Sequence, residues 1–207
     1  MRPRPTIIVL AAGSGRRFGG AGHKLAQEFG HSSVLGSTLR NAVSSQLPVV
    51  LVTTPNLVHL AAQQLATRDI IVISDEEAAR GMGHSIACGV GERSGSPGWL
   101  VLPGDMPLVQ PGSFLAVAGA LEHYPVAYAQ YRGLRGHPVG FSPELYSELV
   151  SLSGDDGARR VVLRYPAHGE EVADPGVLLD VDTEDDLRHL RLQVPGAAPG
   201  GVPAPVV

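Results

Sequence analysis

Short aliphatic runs recur along this chain, separated by stretches in which apolar side chains return every three or four positions. The runs predict strands at Thr6–Ala12, Pro48–Thr54, Asp69–Ser74, Trp99–Leu102, Pro125–Tyr131, His137–Phe141 and Val177–Val181. The stretches between the early runs predict helices at Val34–Ser45, Leu57–Arg68, His84–Glu92 and Ser113–Glu122. In the second of these, Leu57, Leu60, Ala61 and Leu65 share one helical face. Past residue 125 two strands follow one another through a Gly-rich turn, Arg132–Gly136, before helices at Pro143–Leu152, Gly157–Tyr165 and Glu184–Leu192. Strands apolar on both faces, with helices between them, imply a sheet covered on both sides. The expectation is a doubly wound α/β fold with a mostly parallel sheet and a small antiparallel portion in its C-terminal half.

Composition narrows this picture. The 207 residues suit one domain, read here as 1–194. Residues 195–207, rich in Pro and Gly, are expected to form a disordered tail. Aromatic residues make up only 5%, so the core must be aliphatic. The formal charge of −4 lacks the basic excess of a nucleic-acid binder. Arg2 and Arg4 precede the apolar stretch Ile7–Ala12, which superficially resembles a signal peptide. It is short, β-branched and stopped by Gly13, so it reads better as a buried strand. Nowhere does an apolar run approach the ~18 residues of a membrane span. With a single Cys there is no intramolecular disulfide, and a reducing, cytoplasmic setting is expected.

The chemistry begins where the first strand ends. Leu10-Ala11-Ala12-Gly13-Ser14-Gly15-Arg16-Arg17-Phe18-Gly19-Gly20 leads to Lys24. A glycine-rich turn after a strand brings backbone N–H groups close to phosphate oxygens, and the arginines add charge. Two familiar phosphate loops do not fit. Phe18 holds the third glycine position of the dinucleotide pattern, and the second long strand ends in Thr53-Thr54 rather than a ribose-binding acid. No Gly-Lys-Ser/Thr follows, which removes the P-loop.

Leu-Ala-Ala-Gly-x-x-x-Arg-x-Gly with a downstream Lys resembles the signature of nucleotidyltransferases, and within them the molybdenum cofactor cytidylyltransferase branch, over residues 6–190. The resemblance implies a Rossmann-like nucleotidyltransferase fold. It places the nucleotide against Leu10, Ala11, Ala12, Gly13, Ser14, Gly15 and Lys24, with the triphosphate wrapped by Gly13, Ser14, Gly15 and Arg17 and with Lys24 and Arg17 as catalytic cations. Lys24 follows His23 here rather than the family's Pro.

Two acidic motifs lie at predicted strand ends: Leu102-Pro103-Gly104-Asp105 and Leu179-Asp180-Val181-Asp182. Open parallel sheets bind ligands at that edge. Taken singly, Asp105 is an ordinary turn residue and Asp182 a surface acid before a helix cap at Thr183. Together, at the family's positions, Asp105 and Asp182 are the implied Mg²⁺ ligands, with Asp180 as substitute and Asp105 also catalytic.

Gly81-Met82-Gly83-His84-Ser85 opens a helix, either as a plain cap or, as the resemblance implies, beside the nucleoside. Cys88, inside that helix, reads as a small core residue rather than a nucleophile. Gly136-His137-Pro138 and Gly154-Asp155-Asp156-Gly157-Ala158-Arg159 resemble the acceptor-side segments, which implicates His137, Asp156 and Arg159 in acceptor binding.

The resemblance thus implies CMP transfer from CTP to the phosphate of molybdopterin, with pyrophosphate released. Ala12 before Gly13 favours the cytidylyl over the guanylyl branch. The implied partners are CTP or another NTP, a molybdopterin-type acceptor and a molybdoenzyme receiving the product, with no nucleic acid and no membrane. Other readings remain open: a sugar or alcohol phosphate acceptor, a guanylyl-transferring relative, a nicotinamide-dependent reductase, or a non-catalytic maturation partner of a molybdoenzyme.

Overall fold

The computed structural model describes residues 3–15, 18–19 and 22–193. Arg17 and the expected tail, 195–207, lie outside the described residues. The described residues form nine strands: β1 (Thr6–Ala11), β2 (Glu28–Phe29), β3 (Ser32–Ser33), β4 (Val49–Thr53), β5 (Ile70–Val72), β6 (Trp99–Pro103), β7 (Val126–Tyr131), β8 (Leu134–Phe141) and β9 (Ala167–Glu171). The α-helices are α1 (Val34–Ser44), α2 (Val58–Ala61), α3 (Asp75–Ala78), α4 (Met82–Glu92), α5 (Pro111–Ala120), α6 (Tyr146–Leu149), α7 (Arg159–Arg164) and α8 (Glu184–Arg191).

Seven strands form one sheet in the order β5-β4-β1-β6-β8-β7-β9, and β2 and β3 pair as a small separate hairpin. β1 runs parallel to β4 and β6, and β4 parallel to β5. β8 runs antiparallel to both β6 and β7, while β9 is parallel to β7. The result is the expected doubly wound, mostly parallel α/β fold with its antiparallel portion in the C-terminal half.

Side chains alternate across β1, so it feeds two cores. Ile7 and Val9 pack with Leu35, Leu39, Phe114, Val117 and Leu187, the apolar faces of α1, α5 and α8. Ile8 packs on the other side with Ile86, Val90, Leu149 and Val161 from α4, α6 and α7. Helix α4 lies close to the sheet at Gly89, where a Cβ would stand 2.6 Å from Ile8 Cγ2. With both faces covered, β1 and β6 leave only their carboxyl ends free to build a site.

Three expectations need correction. Val177–Val181 is not a strand: Pro175–Leu178 forms a 3-10 turn, capped by Asp174, which accepts from Gly176 N–H at 2.9 Å. Val177 and Val181 are still fully buried, so their apolarity reflects core contact without sheet pairing. The strand position beside β7 belongs instead to Ala167–Glu171. That segment is polar because it forms the sheet edge, and its Glu171 accepts from Arg132 N–H at 2.5 Å across the β7–β8 turn. Finally, the helix expected at Leu57–Arg68 reduces to α2 between two 3-10 turns. Only Leu57 and Ala61 of its apolar face are fully buried, too little packing to hold a long helix.

The turn between β7 and β8 is tighter than the expected Arg132–Gly136. It occupies Arg132 and Gly133, at φ +50° and +75°, and pairing resumes at Leu134. This extension carries Arg135, Gly136 and His137 into β8, toward the acidic edge.

Candidate active site

Residues Ala12–Gly15 leave the end of β1 as a loop, with Gly15 at φ +62°. The loop is tied to the turn at Lys24–Ala26 by one side chain. His23 Nδ1 accepts from Leu25 N–H at 3.2 Å, so the ring proton sits on Nε2, which donates to the Gly13 carbonyl at 3.0 Å. Leu25, buried beneath, anchors the turn.

That anchoring aims Lys24 at the end of β6. Its Nζ lies 2.5 Å from Asp105 Oδ2 and 3.1 Å from Asp182 Oδ1. Burial works to lower the Lys24 pKa, but the Asp105 and Asp182 carboxylates outweigh it and hold the ammonium above its usual range.

Asp105 is fixed by its neighbours. Gly104 N–H donates to the Leu10 carbonyl at 2.8 Å, and Thr38 Oγ1 donates to the Gly104 carbonyl at 2.9 Å. A Cβ on Gly104 would stand 2.9 Å from Leu10 O, so this close approach requires glycine. Val181 N–H donates to the Asp105 carbonyl at 3.0 Å and draws Asp180 and Asp182 to the same point. Helix α8 then starts at a capping box in which Thr183 and Asp186 satisfy each other's backbone. One carboxylate oxygen from each of Asp105, Asp180 and Asp182 lies within 4.8 Å of the others. Burial, reinforced by the charges of Asp105 and Asp182, raises the Asp180 carboxyl pKa.

This acid cluster has the chemistry of a divalent-cation site. Asp105 Oδ1 is buried and has no hydrogen-bond partner in the structure, a cost that a cation would remove. Three carboxylates are hard oxygen donors of the kind Mg²⁺ and Mn²⁺ prefer.

A cleft of about 530 Å³ opens between the glycine loop and the start of α4. Its walls include Leu10, Ala11, Ala12, Gly13, Ser14 and Gly15 on one side, with Lys24 and Asp105 at its base. Across it stand Gly81, Met82 and Ser85. Gly81, at φ +96°, packs on the Gly154 backbone, and Gly83 N–H donates to the Gly154 carbonyl at 2.8 Å. A Cβ on Gly83 would stand 2.8 Å from Ser153 N. The two glycine motifs therefore interlock, and Asp155 reaches the cleft wall.

Other candidates sit elsewhere. His84 turns along α4, where its Nε2 is 3.6 Å from Cys88 Sγ. Burial, with Glu77 adding to it, pushes the Cys88 thiol up, which disfavours the thiolate. His137 lines a second, smaller pocket beside Asp180. Burial holds the His137 pKa down, with the Asp105 charge opposing it, so the ring is neutral. Asp156 and Arg159 are exposed and line neither pocket, and Asp156 pairs with Arg160 at 3.5 Å. Asp155, which lines the cleft, was not among the residues singled out from the sequence. Asp155 adjoins Asp156 in one motif, and only the packing on Gly81 tells them apart.

Residues 7–171 match the MobA-like NTP transferase domain. The chain belongs to this family. As a member of the MobA-like NTP transferase family it is a nucleotidyltransferase. It is 31% identical to the purine catabolism protein PucB of Bacillus subtilis (strain 168), over 89% of this chain and 94% of that protein. It is 24% identical to the molybdenum cofactor cytidylyltransferase of Escherichia coli (strain K12), over 87% of this chain and 92% of that one. Among solved structures, Rv0371c from Mycobacterium tuberculosis H37Rv superposes with a TM-score of 0.78 at 29% identity, over 92% of this chain and 100% of that chain. A second structure of Rv0371c is a complex with manganese. The family assignment bears out the nucleotidyltransferase resemblance. Among the described residues, no helix is long and apolar enough to cross a membrane.

Proposed function

We propose that this nucleotidyltransferase moves CMP from CTP to the phosphate of a molybdenum-cofactor-type acceptor. The observation that carries the reading is the meeting of Lys24 with Asp105 and Asp182 at the base of the glycine-loop cleft. The cytidylyl assignment rests on Ala12 before Gly13 and on likeness to the Escherichia coli cytidylyltransferase.

In this reading an acceptor phosphate oxygen attacks the α-phosphorus in line. The bond from that phosphorus to the bridging oxygen of the β-phosphate breaks, and pyrophosphate leaves with the electron pair. Backbone N–H groups of Gly13, Ser14 and Gly15 hold the leaving phosphates. Lys24 and Arg17 offset the charge that develops at the α-phosphorus. Gly81, Met82 and Ser85 face the nucleoside, while Gly83 allows the close packing behind them and His84 pairs with Cys88. Asp105 and Asp182, with Asp180 beside them, would hold a divalent cation such as Mg²⁺, which would supply charge neutralisation for the phosphates. The acceptor phosphate arrives ionised, so no side chain has to remove a proton from it.

The cleft volume falls within the ~300–1,000 Å³ typical of small-molecule sites. Pyrophosphate release with each of the four common NTPs, with and without molybdenum cofactor, tests the proposal. Release that requires both CTP and the cofactor is the expected result. Release with GTP alone, or driven by a sugar phosphate in place of the cofactor, overturns the substrate assignment.

A further inference from the structure

Gly13, Ser14 and Gly15 wall the nucleotide cleft, and His23 stands behind that wall rather than in it. The half-buried ring lies against the loop: a Cβ on Gly15 would stand 3.6 Å from His23 Nε2 and 3.5 Å from Lys24 Cγ. Gly13 is not held in the left-handed region, and a Cβ there would meet no described atom within 4 Å. Its missing side chain therefore serves the approach of a ligand, not the fold.

Both ring nitrogens of His23 are committed, to different ends. The bond from Leu25 N–H to Nδ1 caps the 3-10 turn at Lys24–Ala26 and so serves local structure. The bond from Nε2–H to the Gly13 carbonyl closes no helix or strand; it acts on a loop peptide. That Gly13–Ser14 peptide is trans, so its carbonyl and the Ser14 N–H point to opposite edges of one plane. Drawing the carbonyl back to the ring turns the Ser14 N–H the other way. With glycine on one side, the plane meets less steric resistance to rotation than one between two larger residues. A rotated plane would set the negative end of the carbonyl dipole against a phosphate.

From this we infer that His23 is a positioning residue for the leaving phosphates. Its Nε2–H locks the Gly13–Ser14 peptide so that the Ser14 N–H, and not the Gly13 carbonyl, faces the cleft. The ring never touches the substrate; it acts through the Ser14 amide, which donates to a diphosphate oxygen. The same ring holds the turn that aims Lys24 at Asp105 and Asp182, so one side chain keeps the phosphate loop and the catalytic lysine in register. The inference rests on the reading that this loop holds the leaving phosphates; it does not depend on which nucleotide or acceptor is used.

Two variants of the full chain separate the ring's two bonds. His23→Asn keeps a side-chain oxygen that can accept from Leu25 N–H, but it is too short to reach Gly13. His23→Gln carries an amide N–H out to the place of Nε2 and gives up the cap. The probe is inorganic pyrophosphate with Mg²⁺, titrated by calorimetry, with the Ser14 amide proton followed by NMR. His23→Asn is expected to melt like the wild type and to bind pyrophosphate about tenfold or more weakly, the loss of one hydrogen bond to a charged group. His23→Gln is expected to recover most of that affinity although it melts lower. The Ser14 amide resonance should move on adding pyrophosphate in the wild type and in His23→Gln, but not in His23→Asn. Equal affinity in the wild type and His23→Asn, affinities that follow the melting temperatures, or a Ser14 amide that ignores pyrophosphate in the wild type would each overturn the inference. A wild type that shows the expected pyrophosphate differences yet transfers no CMP from CTP would defeat the CMP-transfer reading and leave the role of His23 standing.

Discussion

Replacing Lys24 with Met removes the ammonium that sits between two carboxylates but keeps most of the side chain's bulk. The Lys24 side chain is 14% exposed, Asp105 13% and Asp182 28%. Breaking a fully buried pair costs about 3–5 kcal/mol, and a surface pair contributes about 0–1. This half-buried, doubly bonded lysine falls between them, at about 2 kcal/mol. For a domain of this size that lowers the melting temperature by roughly 4–8 °C in EDTA. A divalent cation and the ammonium compete for the same carboxylates, so Mn²⁺ should stabilise the variant more than the wild type. At a hundredfold excess over Kd, binding contributes about 2.7 kcal/mol, enough to return the variant to the wild-type range. The assay is thermal unfolding of both proteins in EDTA and across a Mn²⁺ titration. Equal melting in EDTA, or an equal Mn²⁺ response, would refute the reasoning. Turnover should still fall by about 10²–10³-fold, since a structural cation at the acids does not replace the lysine at the phosphate.

Asp105→Ala should lower pyrophosphate release at least about 10²-fold without lowering the melting temperature, because it also removes repulsion within the acid cluster; retained turnover in a kinetic assay would remove Asp105 from the chemistry. Gly83→Ala forces a Cβ onto the Ser153 backbone and is expected to cost about 1–3 kcal/mol in urea unfolding, with a raised KM for the nucleotide. Asp174→Ala leaves the Gln110 and Gly176 N–H groups and the Ser113 hydroxyl without their acceptor, for a loss of about 3 kcal/mol measured the same way. Asp186 tests pH linkage: the Thr183 side chain, then the backbone of Thr183 and Asp182, hold its carboxyl below the usual range against burial. Its stabilisation is present above the unfolded pKa of about 3.9 and lost as pH falls through the lower folded value. Asp186→Asn should therefore unfold more easily than the wild type at neutral pH and equally in strong acid.

Much of the fold was legible because burial on two faces leaves a strong mark. The unbroken apolar run Ile7–Leu10 is a central strand, and helix α1 begins one residue after its Ser33 cap, as its pattern suggests. The misreadings share one cause. Val177 and Val181 are as buried as any strand residue, yet Asp174 and Pro175 turn the chain into a 3-10 coil that no apolar count detects. Conversely, His168-Gly169-Glu170-Glu171 is polar because β9 has one open edge, so it reads as a loop. At the site, the motifs fixed the neighbourhood but not the side chain. Of Asp155 and Asp156, only the first lines the cleft, which depends on how Gly154 meets Gly81.

A crystal structure grown with Mn²⁺ and α,β-methylene-CTP, read at the manganese absorption edge, addresses the centre of this account. An anomalous peak bound by Asp105 and Asp182, with Lys24 withdrawn from them toward the α-phosphate, is the predicted outcome. A nucleotide bound elsewhere, or Lys24 still bridging the two carboxylates with no metal peak beside them, would contradict it.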